Sequence, residues 1–170
     1  MRFLVVVAAL LLTSCWMGDG LYSNRDARQP IPAGIYRTTS GDDRIQIEKV
    51  TLLPNGLTQI GDGDGKGFYG FAPLDKENRR FVAWFRKDEE TPQDRGQFYM
   101  LLDRRSADEF VLYLPECKGE LAELARKAGA TIEEGTTDVC HFLTRSSVET
   151  AMRQVRISGD VMRIVRVRDK

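Results

Sequence analysis

The chain holds a single histidine, His141. One imidazole leaves little room for histidine-based catalysis or a multi-histidine metal site. An excess of one charge is also missing: 25 Lys and Arg balance 25 Asp and Glu, for a formal net charge of zero. Nucleic-acid-binding domains normally carry a basic excess, so no nucleic-acid partner is expected. No apolar run is longer than residues 3–12, which as a helix would span about 15 Å, half the hydrocarbon core of a bilayer. That is too short for a stable membrane span. Internal repeats and low-complexity tracts are absent, and no G-x-S-x-G elbow accompanies any serine. The 170 residues, 42% of them hydrophobic, therefore read as one ordinary globular domain able to bury its own core.

The apolar run has the build of a targeting segment. Arg2 supplies a positive start, residues 3–12 supply the hydrophobic region, and Leu12, Thr13, Ser14 and Cys15 end it. This ending resembles the lipobox of bacterial lipoproteins, a Leu, two small residues and a Cys. The resemblance covers the first fifteen residues only. It implies a signal peptide over residues 1–14, diacylglycerol on the Cys15 thiol, cleavage before Cys15, and acylation of the new amine. Two or three acyl chains anchor firmly where one binds only marginally. The residue after Cys15 is Trp16 and not the Asp that retains enteric lipoproteins in the inner membrane. By the same resemblance the chain is expected at the outer membrane, facing the periplasm. Cleavage would leave 24 basic against 25 acidic residues, a net charge of −1.

The resemblance also accounts for the odd cysteine count. With Cys15 lipidated, Cys117 and Cys140 are left in an oxidising compartment, where a disulfide is the default. Closing about two dozen residues would stabilise the fold by roughly 3–4 kcal/mol. Two other readings stay open. One is a catalytic pair of Cys140 and His141, although neighbours in a strand point to opposite faces. Cys117, Cys140, His141 and a carboxylate could bind zinc, although the close ligand pairs of zinc sites are lacking.

Residues 15–33, rich in Gly, Pro, Asn and Arg, read as a lipidated cysteine and a tether, with one globular domain over 34–170. Strands are expected at 34–39, 44–53, 57–60, 79–87, 96–103 and 109–115, with Pro54-Asn55-Gly56 as a hairpin turn. In 44–53 the apolar positions change phase between Ile47 and Val50, which reads as a bulge. After Pro115 the period lengthens. Leu121, Leu124, Ala125 and Ala128 mark one helix stopped by Gly129, and Val148, Ala151, Met152 and Val155 mark a second, capped by Ser146 and Glu149. A short extended segment at 139–144 lies between them, residues 130–138 read as a loop, and a last strand covers 160–168. Strands first and helices later give an α+β fold: an antiparallel, meander-like sheet of about six to eight strands with two short helices in the C-terminal half.

Few motifs carry chemistry. Gly65, Gly67 and Gly70 match G-x-G-x-x-G, but Pro73 follows where a dinucleotide fold needs a helix. Asp62 and Asp64 offer two hard oxygens for a weak, irregular calcium site, since Lys66 and Pro73 break the EF-hand pattern. Arg153, Arg156, Arg163, Arg166, Arg168 and Lys170 make the one local charge bias, with Arg163, Arg166 and Arg168 a candidate surface for an acidic partner or envelope component. The expectation is a non-enzymatic lipid-anchored envelope protein that acts as a binding module, with no catalytic residues and no cofactor assigned. Alternatives are a small-ligand or lipid carrier with a cavity under a curled sheet, and a periplasmic hydrolase using His141.

Overall fold

A computed structural model describes residues 15–41, 44–63, 66–86, 96–133, 138–159 and 161–167, and the side chain of Arg86 is left aside. In chain order the elements are β1 (Trp16–Gly18), a 3-10 turn (Asn24–Asp26), β2 (Gly34–Thr39), β3 (Ile45–Leu52), β4 (Thr58–Ile60), β5 (Gly67–Pro73), β6 (Arg80–Arg86), β7 (Gln97–Arg104), β8 (Glu109–Tyr113), α1 (Gly119–Lys127), β9 (Thr131–Glu133), β10 (Val139–Phe142), α2 (Arg145–Gln154) and β11 (Met162–Arg166). From β2 to β8 each strand pairs antiparallel with the next. After the helical excursion, β11 fits between β8 and β2 and closes the ring. The expected antiparallel sheet with two helices is present, and it closes into an eight-stranded barrel with β1, β10 and β9 added outside β7.

Strand alternation builds two cores. Inward positions carry Tyr36, Phe71, Phe81, Leu102, Phe110 and Ile164, each at most 2% exposed. An eight-stranded barrel is just wide enough for such side chains to fill it. The outward positions of the β5–β8 wall carry Ala72, Val82, Trp84, Tyr99, Leu101 and Tyr113. They are buried against Trp16, Phe142, Ala125 of α1, and Val148, Ala151 and Met152 of α2. That wall is covered on both faces, which is why residues 81–85 read as an unbroken apolar run rather than an alternating one.

Five local expectations are corrected. Residues 15–33 are not a solvated tether. β1 runs parallel to β10 (Trp16 beside Cys140) and antiparallel to β7 (Met17 beside Phe98). Tyr22 stacks on Trp84 at 4.9 Å, and Ile31 is fully buried with the barrel interior. The Gln97 amide clamps the Tyr22 backbone from both sides, donating to its carbonyl at 2.7 Å and accepting from its N–H at 3.1 Å. The Gly, Pro and Asn of this segment serve the turns between buried anchors.

β3 has no bulge. Its pairing with β2 runs unbroken from Gly34–Val50 to Thr39–Ile45. The phase change is a change of face: Val50 points into the barrel, while Ile45 and Ile47 point out and are each 64% exposed. The stretch around Gly67 and Gly70 is a strand, not only a loop. A Cβ on Gly70 would collide with the Trp84 indole, so this glycine makes room for an aromatic ring and not for a phosphate. Residues 131–133 form β9, an outer strand on β10. The cap of α2 is Thr144, whose hydroxyl accepts from the Ser147 N–H at 3.2 Å. Glu149 instead pairs with Arg145 and Arg153.

Cys117 and Cys140 form a disulfide, with 5.4 Å between Cα atoms. It joins the residues just before α1 to β10.

Candidate functional site

The helices and added strands cover the β5–β8 side of the barrel. The outer face of β11, β2 and β3 carries no such layer among the described residues, and four large aliphatic side chains lie open there: Ile35 (44% exposed), Ile45, Ile47 and Val167 (41%). Register sets the middle of this face. Arg37 on β2 is flanked by Ile47 on β3 and Val165 on β11. Together with Arg166 and Val167 these residues line a groove of about 340 Å³. Beside it, Lys49 stands opposite Ile35. The local chain supplies this pattern because a two-residue period sends Ile35, Arg37, Ile45, Ile47 and Lys49 to the same side.

The cations around the groove are unequally compensated. Arg163 donates to Glu109 at 2.6 Å. Arg166 donates to the Ala33 carbonyl at 3.2 Å and has Asp108 at 3.9 Å. Arg37 and Lys49 take part in no ion pair among the described residues. The basic tail is thus not one patch. Arg163 and Arg166 sit on opposite faces of β11, three positions apart, and Arg168 lies outside the described residues. Sequence inspection missed Arg37 and the two open isoleucines. The signal that could have found them is the alternation in residues 35–37 and 45–49, which puts Arg37, Ile45 and Ile47 on one face.

The end of the barrel reached by the 61–66 connection holds a second polar group. Glu48 points inward there, half-buried. Burial, and then the charge of Asp62, push its carboxyl above the usual range. Tyr69 lies nearby, its hydroxyl pushed up to about 12 by burial and then by Glu48. Asp62 is exposed, and Asp64 lies outside the described residues. No group of three or more His, Cys, Asp and Glu suited to a metal is found among the described residues.

His141 is half-buried, with Nε2 at 3.7 Å from the Asp19 carboxylate. Ser106 and Ser147 are used locally: Ser106 accepts from the Asp108 N–H at 3.2 Å, and the Ser147 N–H donates to the α2 cap. No nucleophile is brought to His141 among the described residues. Cys117 and Cys140 are consumed by the disulfide. Cys15 lies outside that bond, at the start of β1, 3% exposed. Its carbonyl accepts from the Cys140 N–H at 3.1 Å, and it bridges to Glu116. Burial, then the Glu116 charge, raise its thiol pKa. The open face offers exposed apolar surface and positive charge.

Compared with family models, curated proteins and solved structures, the chain matches none.

Proposed function

We propose that the chain is a non-enzymatic, lipid-anchored protein of the bacterial cell envelope that acts as a binding module. Residues 1–14 would be the signal peptide, Cys15 the acylated residue, and the outer membrane, seen from the periplasm, its place. The observation that carries this reading is the position of the lipobox cysteine. Cys15, itself buried, immediately precedes Trp16, where the hydrophobic core cluster of the described fold begins. Cleavage before Cys15 therefore keeps every buried residue named above. A buried thiol with a raised pKa is a poor nucleophile, so acylation belongs before β1 packs. Seating the acyl chains moves Cys15 out of its packed position and leaves Trp16 as the first fixed residue.

The test is the intact mass of membrane-extracted, non-reduced protein. A species beginning at Cys15, with acyl mass added and two hydrogens missing for Cys117–Cys140, is expected. A species starting elsewhere without acyl mass would sink the anchor.

A small-ligand carrier has one observation in its favour, the closure of the sheet into a barrel. The filled interior at Phe71, Phe81, Leu102 and Phe110 works against it. Organic extraction of the purified protein would decide: a stoichiometric small molecule favours the carrier.

A further inference from the structure

We infer that the open face of β11, β2 and β3 docks an acidic segment of another envelope protein, one aliphatic side chain entering the groove and a carboxylate meeting Arg37. This rests on the anchored-module reading and adds the direction and chemistry of its partner. The apolar half of the argument is exposure. Ile45 and Ile47 stand 64% open on a rigid strand, beside Ile35 and Val167, where a monomeric surface gains nothing from them. The polar half is charge. Arg37 lies between Ile47 and Val165 with no carboxylate among the described residues, and Lys49 adds a second cation one row away. A partner that buries the isoleucines must also satisfy Arg37, or leave a cation desolvated. A carboxylate flanked by an aliphatic chain does both, and a groove of about 340 Å³ accepts one or two such side chains.

Two other occupants fit less well. A second copy of the chain would set one positively charged face against another, and like charges across an interface are repelled. The membrane lies on the wrong side. β1, which directly follows Cys15, pairs with β7, and β7 stands diametrically across the ring from β3. Since Trp16 is fully buried, no free linker lets the domain roll over. The open face therefore points away from the bilayer that holds Cys15.

The test uses the mature protein in detergent and a fluorescent peptide of alternating Glu and Leu, read by anisotropy. Saturable binding is expected, with no binding of the matching Lys and Leu peptide. Arg37→Glu and Ile47→Asp should each weaken it at least roughly tenfold, the loss expected for one charge-assisted or buried contact. Lys127→Glu, a charge change on exposed α1, should leave it unchanged. Both groove positions are outward, and unchanged urea midpoints confirm that the fold is kept. Absent binding, or equal binding by the variants, overturns the proposal. Sedimentation showing a dimer abolished by Ile47→Asp would assign the face to a second copy instead. In vesicles containing brominated phosphatidylglycerol, quenching of an Ile47→Trp variant would assign it to the membrane. Peptide binding in detergent does not need the anchor, and the Cys15 mass does not need the groove, so the two readings fail separately.

Discussion

Truncating Trp16 to alanine separates a tether from a packed strand by a measurable energy. Trp16 is fully buried, its ring 5.1 Å from that of Phe142, between β7 and β10. Removing a buried Trp side chain typically costs about 3–5 kcal/mol, because a cavity persists where the ring was. Part of this is returned. The Trp16 Nε1 is buried without a hydrogen-bond partner among the described residues, and removing such a desolvated N–H recovers about 1 kcal/mol. The expected net loss is about 2–4 kcal/mol, a large share of the 5–15 kcal/mol that holds an ordinary domain. Trp16→Phe keeps the ring packing and drops the lone N–H, so its loss should stay below about 1.5 kcal/mol. Urea unfolding followed by far-ultraviolet circular dichroism measures both, with unchanged slopes showing that the unfolded state is the same. A residue in a solvated tether changes stability by less than about 0.5 kcal/mol. A Trp16→Ala loss that small would refute the packing of β1 and, with it, the orientation proposed for the domain on a lipid anchor.

Three further outcomes follow from other contacts. Replacing Cys117 and Cys140 together by serine should lower stability by roughly 3–4 kcal/mol in urea; a loss below about 1 kcal/mol would mean that the unfolded 117–140 loop is already restricted. Gly70→Ala should cost about 1–3 kcal/mol by pushing on the Trp84 indole, and a double-mutant cycle with Trp84→Phe should show coupling; additive losses would remove that contact as the cause. Glu48 binds its proton more tightly in the fold than in the unfolded chain, so its contribution favours the fold at acid pH and is lost as pH rises through the folded value. Glu48→Gln should therefore gain stability relative to the native protein between about pH 4, the ordinary glutamate range, and neutrality; a pH-independent difference would contradict this.

Legibility followed the range of the forces. The two helices and the β7–β8 hairpin were legible because their periods and apolar mass are local properties. Gly129 ends α1 as expected, with a positive φ of 95°. β5 was hidden because its glycines look like loop, and only the approach of Trp84 from the next strand explains Gly70. The candidate face was misread for the same kind of reason. Ile45 and Ile47 alternate like core residues, and nothing within residues 44–53 says which side of the strand will be covered. The basic tail was seen as one cluster, yet Arg163 and Arg166 went to different faces and found their own carboxylates.

By itself, then, the sequence determined the class of the fold, an antiparallel meander followed by two helices. Strand period, helix period and turn chemistry act over a few residues and survive without a partner. Tertiary structure alone decided that the sheet closes, that residues 15–33 pack, and that one wall of the barrel is buried on both faces while the opposite one stays open. Those outcomes depend on which distant segments meet. β11 reaches β2 across more than a hundred residues, and the helices settle on the β5–β8 wall because Trp84, Tyr99 and Leu101 offer apolar surface there, leaving Arg37 and its isoleucines uncovered.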